Sequence, residues 1–311
     1  MQEPRIAVVV ATHDRAHRLA LLLDALRAQT IPHGEFEVVI VDDGSADSTP
    51  AVLADAERAA DLDLRVLRRE PAGGPAVARN LGWRVAHAPL VAFTDDDCRP
   101  SPQWLEELLI AAEESPGALV QGRVDKDPEQ MHDLSAFAHW YEVRHAGEGF
   151  PTCNILYPRD LLERMDGFDE SFAIAGEDTD LGWRAVESGA GVVFAPDALV
   201  HHGIIPVGPI GRLRLTQRWA MTIRNYRRHP EMPKVKGLFW RHNHYELFRF
   251  LVALALPRRF GALRLFLAAP YVVHLTDRRT GPLLAPYLLA VDMAEVMAVV
   301  RGAIRYRVLV L

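Results

Sequence analysis

A chain of 311 residues with 49% apolar and 8% aromatic side chains has ample material for one large domain, or a domain with an appendage, and is not the composition of a disordered protein. Its two cysteines, Cys98 and Cys153, exclude a disulfide framework and a four-ligand cysteine zinc site, which makes a reducing compartment the default. The net charge of −6 is divided unevenly: residues 1–200 hold 36 Asp/Glu against 17 Lys/Arg, and residues 201–311 hold 5 against 18.

In chain order, IAVVVAT (6–12) is a β-branched run bounded by polar residues and reads as a buried strand. RLALLLDALRAQ (18–29) has leucines at helical spacing. EVVIVDDGS (37–45) is a second buried strand that runs into an acidic turn. Residues 48–60 are helix-like, and DLRVLRRE (63–70) is a third strand. PAVARNLGWRVA (75–86) is a helix after a Gly73–Gly74 turn, and LVAFTDDD (90–97) is a fourth strand. Residues 101–116 form a helix with Pro102 near its start and Pro116 at its end. QGRV (121–124) is a further strand and 125–150 a polar loop with helical portions. Helices follow at 158–165 and 177–188, then the strand GVVFAPDALVHH (191–202). From about residue 208 the chain turns into arginine-rich helices. Strand–helix alternation of this kind predicts an α/β fold, a mostly parallel sheet with helices on both faces, followed by a C-terminal helical region.

In such sheets ligands sit beyond the carboxyl ends of the strands. Three predicted strands end in polar clusters, Thr12-His13-Asp14, Asp42-Asp43-Gly44-Ser45 and Asp95-Asp96-Asp97, so the topology alone directs them towards one crevice. Mg²⁺ or Mn²⁺ prefers oxygen ligands and is commonly shared between carboxylates and substrate phosphates. Asp95 and Asp97, alternate residues of an extended segment, would face one ion together. Taken alone, the triplet fits a solvated turn that caps the next helix equally well.

VVVATHDR, VIVDDGSADST, GGPAVARNLG, VAFTDDD and AGEDTDLGWRAVESG occur in that order, with NILYPRDLLERMDGFDESF between the last two. Over roughly residues 5–205 this set resembles the family-2 glycosyltransferases of the GT-A (Rossmann-like) fold, which transfer sugar from a nucleotide-sugar donor with inversion. The resemblance implies a catalytic domain at 1–207 and a nucleoside-diphosphate sugar donor, UDP-, GDP- or dTDP-linked. It places Thr12, His13, Asp14, Asp42, Arg79, Asp95 and Asp96 along the donor, although His13-Asp14 stands where the family more often has an aromatic residue and Asn. Asp42 matches the acid that reads the base, and the Arg79 guanidinium suits phosphate oxygens. Asp95 and Asp97 would hold Mg²⁺ or Mn²⁺ with His201, His202 being the alternative third ligand. Asp178 matches the general base that takes the acceptor's hydroxyl proton, with Glu177 as alternative base or acceptor-positioning group.

Residues 208–311 mix arginines with apolar stripes, which fits an amphipathic region lying on an anionic lipid surface better than a nucleic-acid module. A helical appendage packed on a protein surface is the alternative. The start, MQEPRIAVVVATHDR, lacks a basic leader, and Arg258, Arg259, Arg264, Asp292 and Glu295 interrupt the longest apolar stretches. The expectation is a cytoplasmic enzyme, peripheral on the inner face of the plasma membrane, that glycosylates a glycan or lipid-linked acceptor in cell-envelope, glycolipid or glycan synthesis. A metal-dependent nucleotidyltransferase and a non-catalytic sugar-binding scaffold are the competing classes.

Overall fold

The computed structural model describes residues 3–147, 149–277 and 282–311. Its elements are β1 (Ile6–Thr12), α1 (Ala16–Arg27), β2 (Phe36–Asp42), α2 (Thr49–Ala59), β3 (Leu64–Arg68), α3 (Pro75–Val85), β4 (Leu90–Phe93), β5 (Cys98–Pro100) and α4 (Trp104–Glu114). They continue with β6 (Leu119–Lys126), β7 (Ile155–Pro158), α5 (Arg159–Arg164), α6 (Glu177–Glu187) and β8 (Val192–His202). Beyond these lie α7 (Pro209–Leu215), α8 (Trp219–Thr222), α9 (Asn225–Arg228), α10 (His242–Ala255), α11 (Gly261–Asp277) and α12 (Ala285–Tyr306).

The strands form one sheet in the order β3-β2-β1-β4-β7-β6-β8-β5. The first four run parallel, as the alternation predicts. Beyond β4 the sheet is mixed: β7 is antiparallel to both neighbours, β6 and β8 are parallel, and β5 is antiparallel to β8. β5 and β7 escape a periodicity reading because three or four residues are too few to show one.

Two apolar cores cover the two sheet faces, which explains the unbroken apolar runs 6–11 in β1 and 38–41 in β2. Ile6, Val8 and Val10 pack with α1, α2 and α4, whereas Ala7 and Val9 pack with α3, α5 and α6. The helix on the second face lies very close to the sheet. A Cβ on Gly82 of α3 would meet Cγ1 of Val9 at 2.6 Å, so only glycine permits this approach.

The chain divides into two compact units, Met1–Asp133 with Trp140–Ile205, and Leu134–His139 with Pro206–Leu311. In the second unit, Phe137 meets the Tyr287 ring edge-on and His139 sits between the guanidinium groups of Arg212 and Arg218. Leu247, Tyr271, Leu275 and Leu288 form its apolar core. The 25-residue segment Pro282–Tyr306 is long and apolar enough to cross a bilayer by length and composition; its most apolar 18-residue window has a mean hydropathy of 1.8 and is 39% buried. It carries the buried Asp292, which accepts a hydrogen bond from the Tyr271 hydroxyl at 2.8 Å, and Glu295, paired with Arg241.

Candidate active site

The carboxyl ends of β1, β2 and β4 lie side by side, with Thr12 and Asp42 as register partners. The Thr12 hydroxyl donates to Oδ2 of Asp96 at 2.8 Å, and the Asp43 amide donates to the Thr12 carbonyl at 2.9 Å. Asp42 is fully buried. One of its oxygens accepts the Ser45 amide (2.9 Å) and the other Arg68 (2.5 Å), which offsets the cost of burying the charge. Burial, then the neighbouring Asp97 charge, push the Asp96 carboxyl up to about 7, against the Thr12 hydrogen bond.

His13 and Asp14 are half exposed and hold the turn after β2. The His13 Nδ1–H donates to the Asp43 carbonyl at 2.8 Å, and Oδ1 of Asp14 accepts the amides of Ala46 and Asp47. Asp43, a residue to which the sequence reading gives no role, grips the glycine turn ahead of α3. Its carboxylate accepts the Gly73 amide (2.8 Å) and the Gly74 amide (2.7 Å). Gly74 has φ +90°, a conformation in which a side chain would strain the backbone.

Arg79, on α3, is buried and spans two acids from distant parts of the chain. Its Nη2 donates to Asp95 at 2.9 Å and its Nη1 to Glu177 at 2.8 Å. Burial opposes its charge, but the two carboxylates outweigh that and hold its pKa above the ordinary guanidinium value. Asn80, the next residue, accepts the Phe168 amide and the Trp83 indole N–H and donates to the Phe168 carbonyl and Glu170. It thereby fixes the Gly167-Phe168-Asp169-Glu170 segment. Its adjacency to Arg79 was visible in the sequence, but a contact 88 residues away was not.

Glu177 and Asp178 open α6 behind Gly176 (φ +103°). Glu177 is tied to Arg79 through one oxygen, while its Oε2 is buried without a partner. Asp178 keeps partial solvent access and accepts the Thr179 amide at 2.7 Å. Burial, reinforced by the Glu177 charge, pushes it up to about 7. A carboxyl poised there is about half ionised at neutral pH, and its ionised form is basic enough to take a proton.

The triplet does not continue β4 as an extended segment; Asp96 and Asp97 lie in a turn between β4 and β5. The alternation that would aim Asp95 and Asp97 at one ion is therefore absent: Asp95 faces Arg79, and Asp97 lies 3.6 Å from Nε2 of His202 and near Arg15 and Arg18. Among the described residues, the ligand atoms that come within 4.8 Å of one another belong to Asp97, Cys98 and His202. His201, the preferred ligand in the sequence reading, is outside this group. Strand alternation in β8, paired to β5 with Cys98 opposite His202 and Arg99 opposite His201, brings His202 to Asp97, and Nδ1 of His201 is buried without a partner.

The donor set fits a divalent cation. Nδ1 of His202 meets the Gly203 carbonyl at 2.9 Å; a carbonyl only accepts, so this bond takes a proton on Nδ1, and in the neutral ring Nε2 is then the nitrogen free to ligate a metal, on the side facing Asp97. Cys98 is buried against Cys153, and burial holds its thiol well above the ordinary range, which leaves oxygen and imidazole as the donors, suited to Mg²⁺ or Mn²⁺. Trp104 is core, its indole N–H held by Asn154.

The chain matches the family model for glycosyl transferase family 2 over residues 7–165, and that for glycosyl transferase family group 2 over residues 90–300. Glycosyltransferase AglE of Haloferax volcanii is 28% identical over 216 residues, which cover 68% of this chain and 69% of that one. A pre-mycofactocin glycosyltransferase of Mycobacterium tuberculosis is 31% identical over 209 residues, 63% of this chain and 42% of that one; the chain thus spans less than half of that relative. Among solved structures, the mannosyltransferase PcManGT from Pyrobaculum calidifontis, in complex with GDP-Man and Mn²⁺, superimposes with a TM-score of 0.62 at 22% identity, covering 99% of this chain and 88% of that one. Motif order, sheet topology and the family models converge, and the chain belongs to glycosyltransferase family 2, an enzyme built on the GT-A fold.

Proposed function

We propose that this glycosyltransferase moves a sugar from a nucleoside-diphosphate sugar to a hydroxyl acceptor with inversion at the anomeric carbon. The observation that carries this reading is the Arg79 bridge, which brings Asp95 and the Glu177-Asp178 pair into one crevice at the strand ends. Asp178, raised to about 7, is the general base that receives the acceptor's hydroxyl proton as the oxygen attacks. Glu177, already paired with Arg79, positions and does not itself take the proton. Thr12, Asp42 and Asp96 line the donor side, and Arg79 places a fixed positive charge beside it. PcManGT, complexed with GDP-Man and Mn²⁺, supports the donor class and the metal. Asp97 and His202 would hold Mg²⁺ or Mn²⁺, with Asp95 nearby. When bound, the ion supplies Lewis-acid charge to the departing diphosphate.

We assign residues 1–207 the catalytic work and residues 208–311 a basic helical role at the cytoplasmic membrane face. The acceptor class is a glycan or lipid-linked hydroxyl of cell-envelope, glycolipid or glycan synthesis. The test is product analysis with UDP-, GDP- and dTDP-sugars, with and without Mn²⁺. Metal-dependent release of nucleoside diphosphate is expected. Pyrophosphate release would identify a nucleotidyltransferase and refute the reading.

A further inference from the structure

The α10–α11 helical hairpin has a composition that its packing does not account for. Between Leu247 and Thr276 the chain holds four arginines and no acidic residue. Leu247, Tyr271 and Leu275 point inward and fill the unit's core. Another large set of apolar side chains points out: Leu265 is 73% exposed and Phe266 68%, with Phe248, Leu251, Leu254 and Val273 also open. A cleft of about 330 Å³ between the helices is lined by Leu254, Leu265 and Ala268 among others. An exposed apolar face of this extent on a folded unit marks a docking surface.

The arginines indicate what covers it. Arg249 and Arg264 are stitched across the hairpin, donating to the Phe266 and Ala253 carbonyls, so their stems lie along the apolar face. Arg258 and Arg259 sit exposed at the hairpin tip beside Phe260. A face that is apolar in the middle and carries only positive charge complements an anionic lipid surface, in which acyl chains meet the apolar side chains and headgroup phosphates meet the guanidinium groups. α12 is the less suitable element, because its Asp292 and Glu295 are engaged inside the unit.

We propose that the α10–α11 hairpin lies in the plane of an anionic phospholipid bilayer, with Leu265 and Phe266 inserted at the headgroup boundary and Arg258 and Arg259 on the phosphates. This deepens the membrane placement given above and does not depend on the transfer reaction.

The experiment is co-sedimentation of the full-length chain with vesicles of phosphatidylcholine alone, or of phosphatidylcholine with phosphatidylglycerol, in the absence of sugar substrates. Binding to the anionic vesicles only is expected. Arg258→Glu with Arg259→Glu should weaken it at least about tenfold, as should Leu265→Ser with Phe266→Ser, at unchanged circular dichroism. No vesicle binding, equal binding to both vesicle types, or full binding by either double variant overturns the proposal. A concentration-dependent dimer that Leu265→Ser with Phe266→Ser abolishes, without vesicle binding, would assign the face to a second copy and overturn it as well. Nucleoside diphosphate release measured on the same preparations separates failure here from failure of the transferase reading.

Discussion

Replacing Asp178 with Asn should remove transfer and at the same time make the protein more stable, but only at neutral and alkaline pH. The Asp178 carboxyl is raised from the ordinary 3.8 to about 7, chiefly by burial and secondly by Glu177. Below about pH 4 it is protonated in both the folded and unfolded chains and does not alter their balance. Between about 4 and 7 the unfolded chain loses this proton while the folded one keeps it, so folding stability declines as pH rises. Above about 7 the folded protein bears the full cost of the ionised group. At roughly 1.4 kcal/mol per tenfold change in acidity, the ceiling is about 4 kcal/mol, and the partial solvent access of the carboxylate reduces it to about 2 kcal/mol. The amide carries no charge to bury, so calorimetry should show a melting point roughly 4–8 °C above the parent's at pH 8 and the same melting point at pH 4. Turnover should fall about 10²–10⁴-fold, the usual worth of a positioned base. Parent kcat/KM should rise with pH, reach half its plateau near 7, the pKa of the base in the free enzyme, and level off about one pH unit higher. A variant no more stable at pH 8, or one stabilised equally at both pH values, would refute the assignment of a strained, raised carboxylate.

Two further outcomes follow from the same site. Arg79→Met leaves Asp95 and Glu177 without their shared partner and should cost about 3–5 kcal/mol in urea unfolding; Arg79→Lys should not restore the parent value, because one ammonium cannot bridge two carboxylates as a guanidinium fork does. For the metal, titration calorimetry with Mn²⁺ should show affinity reduced about 10–100-fold in His202→Gln and near parent in His201→Gln; the opposite order would return the ligand role to His201.

The apolar strands β1, β2 and β4 are legible in the chain because a sheet buried on both faces needs continuous Val/Ile/Leu/Phe runs, and their polar ends mark the crevice without further help. What escapes is whatever depends on partners far along the chain. The His201-or-His202 choice turns on the parity of β8, which is set by its pairing with the three-residue β5 and with β6, whose register shifts at Gly122/Arg123. Periodicity of β8 alone cannot supply that parity. Likewise Arg79 is plain as a helix arginine near glycines, yet its grip on Glu177, 98 residues on, exists only in three dimensions. Asp43 carries no signal of its own in the sequence, because Asp-Asp-Gly-Ser already satisfies an ordinary turn and its hold on the Gly73 and Gly74 amides adds no local signature.

The assignment of Leu134–His139 to the C-terminal unit gives the polypeptide three crossings between its units, near residues 133, 139 and 205. Severing the chain once, at residue 207, therefore does not yield two self-sufficient pieces. The N-terminal fragment would keep a loop whose Phe137 had lost Tyr287 and whose His139 had lost Arg212 and Arg218. The C-terminal fragment would lack that same patch. Aggregation of either fragment would then report on a broken tether and not on membrane affinity, so point substitutions in the intact chain, not truncations, are the means to assign work to each unit.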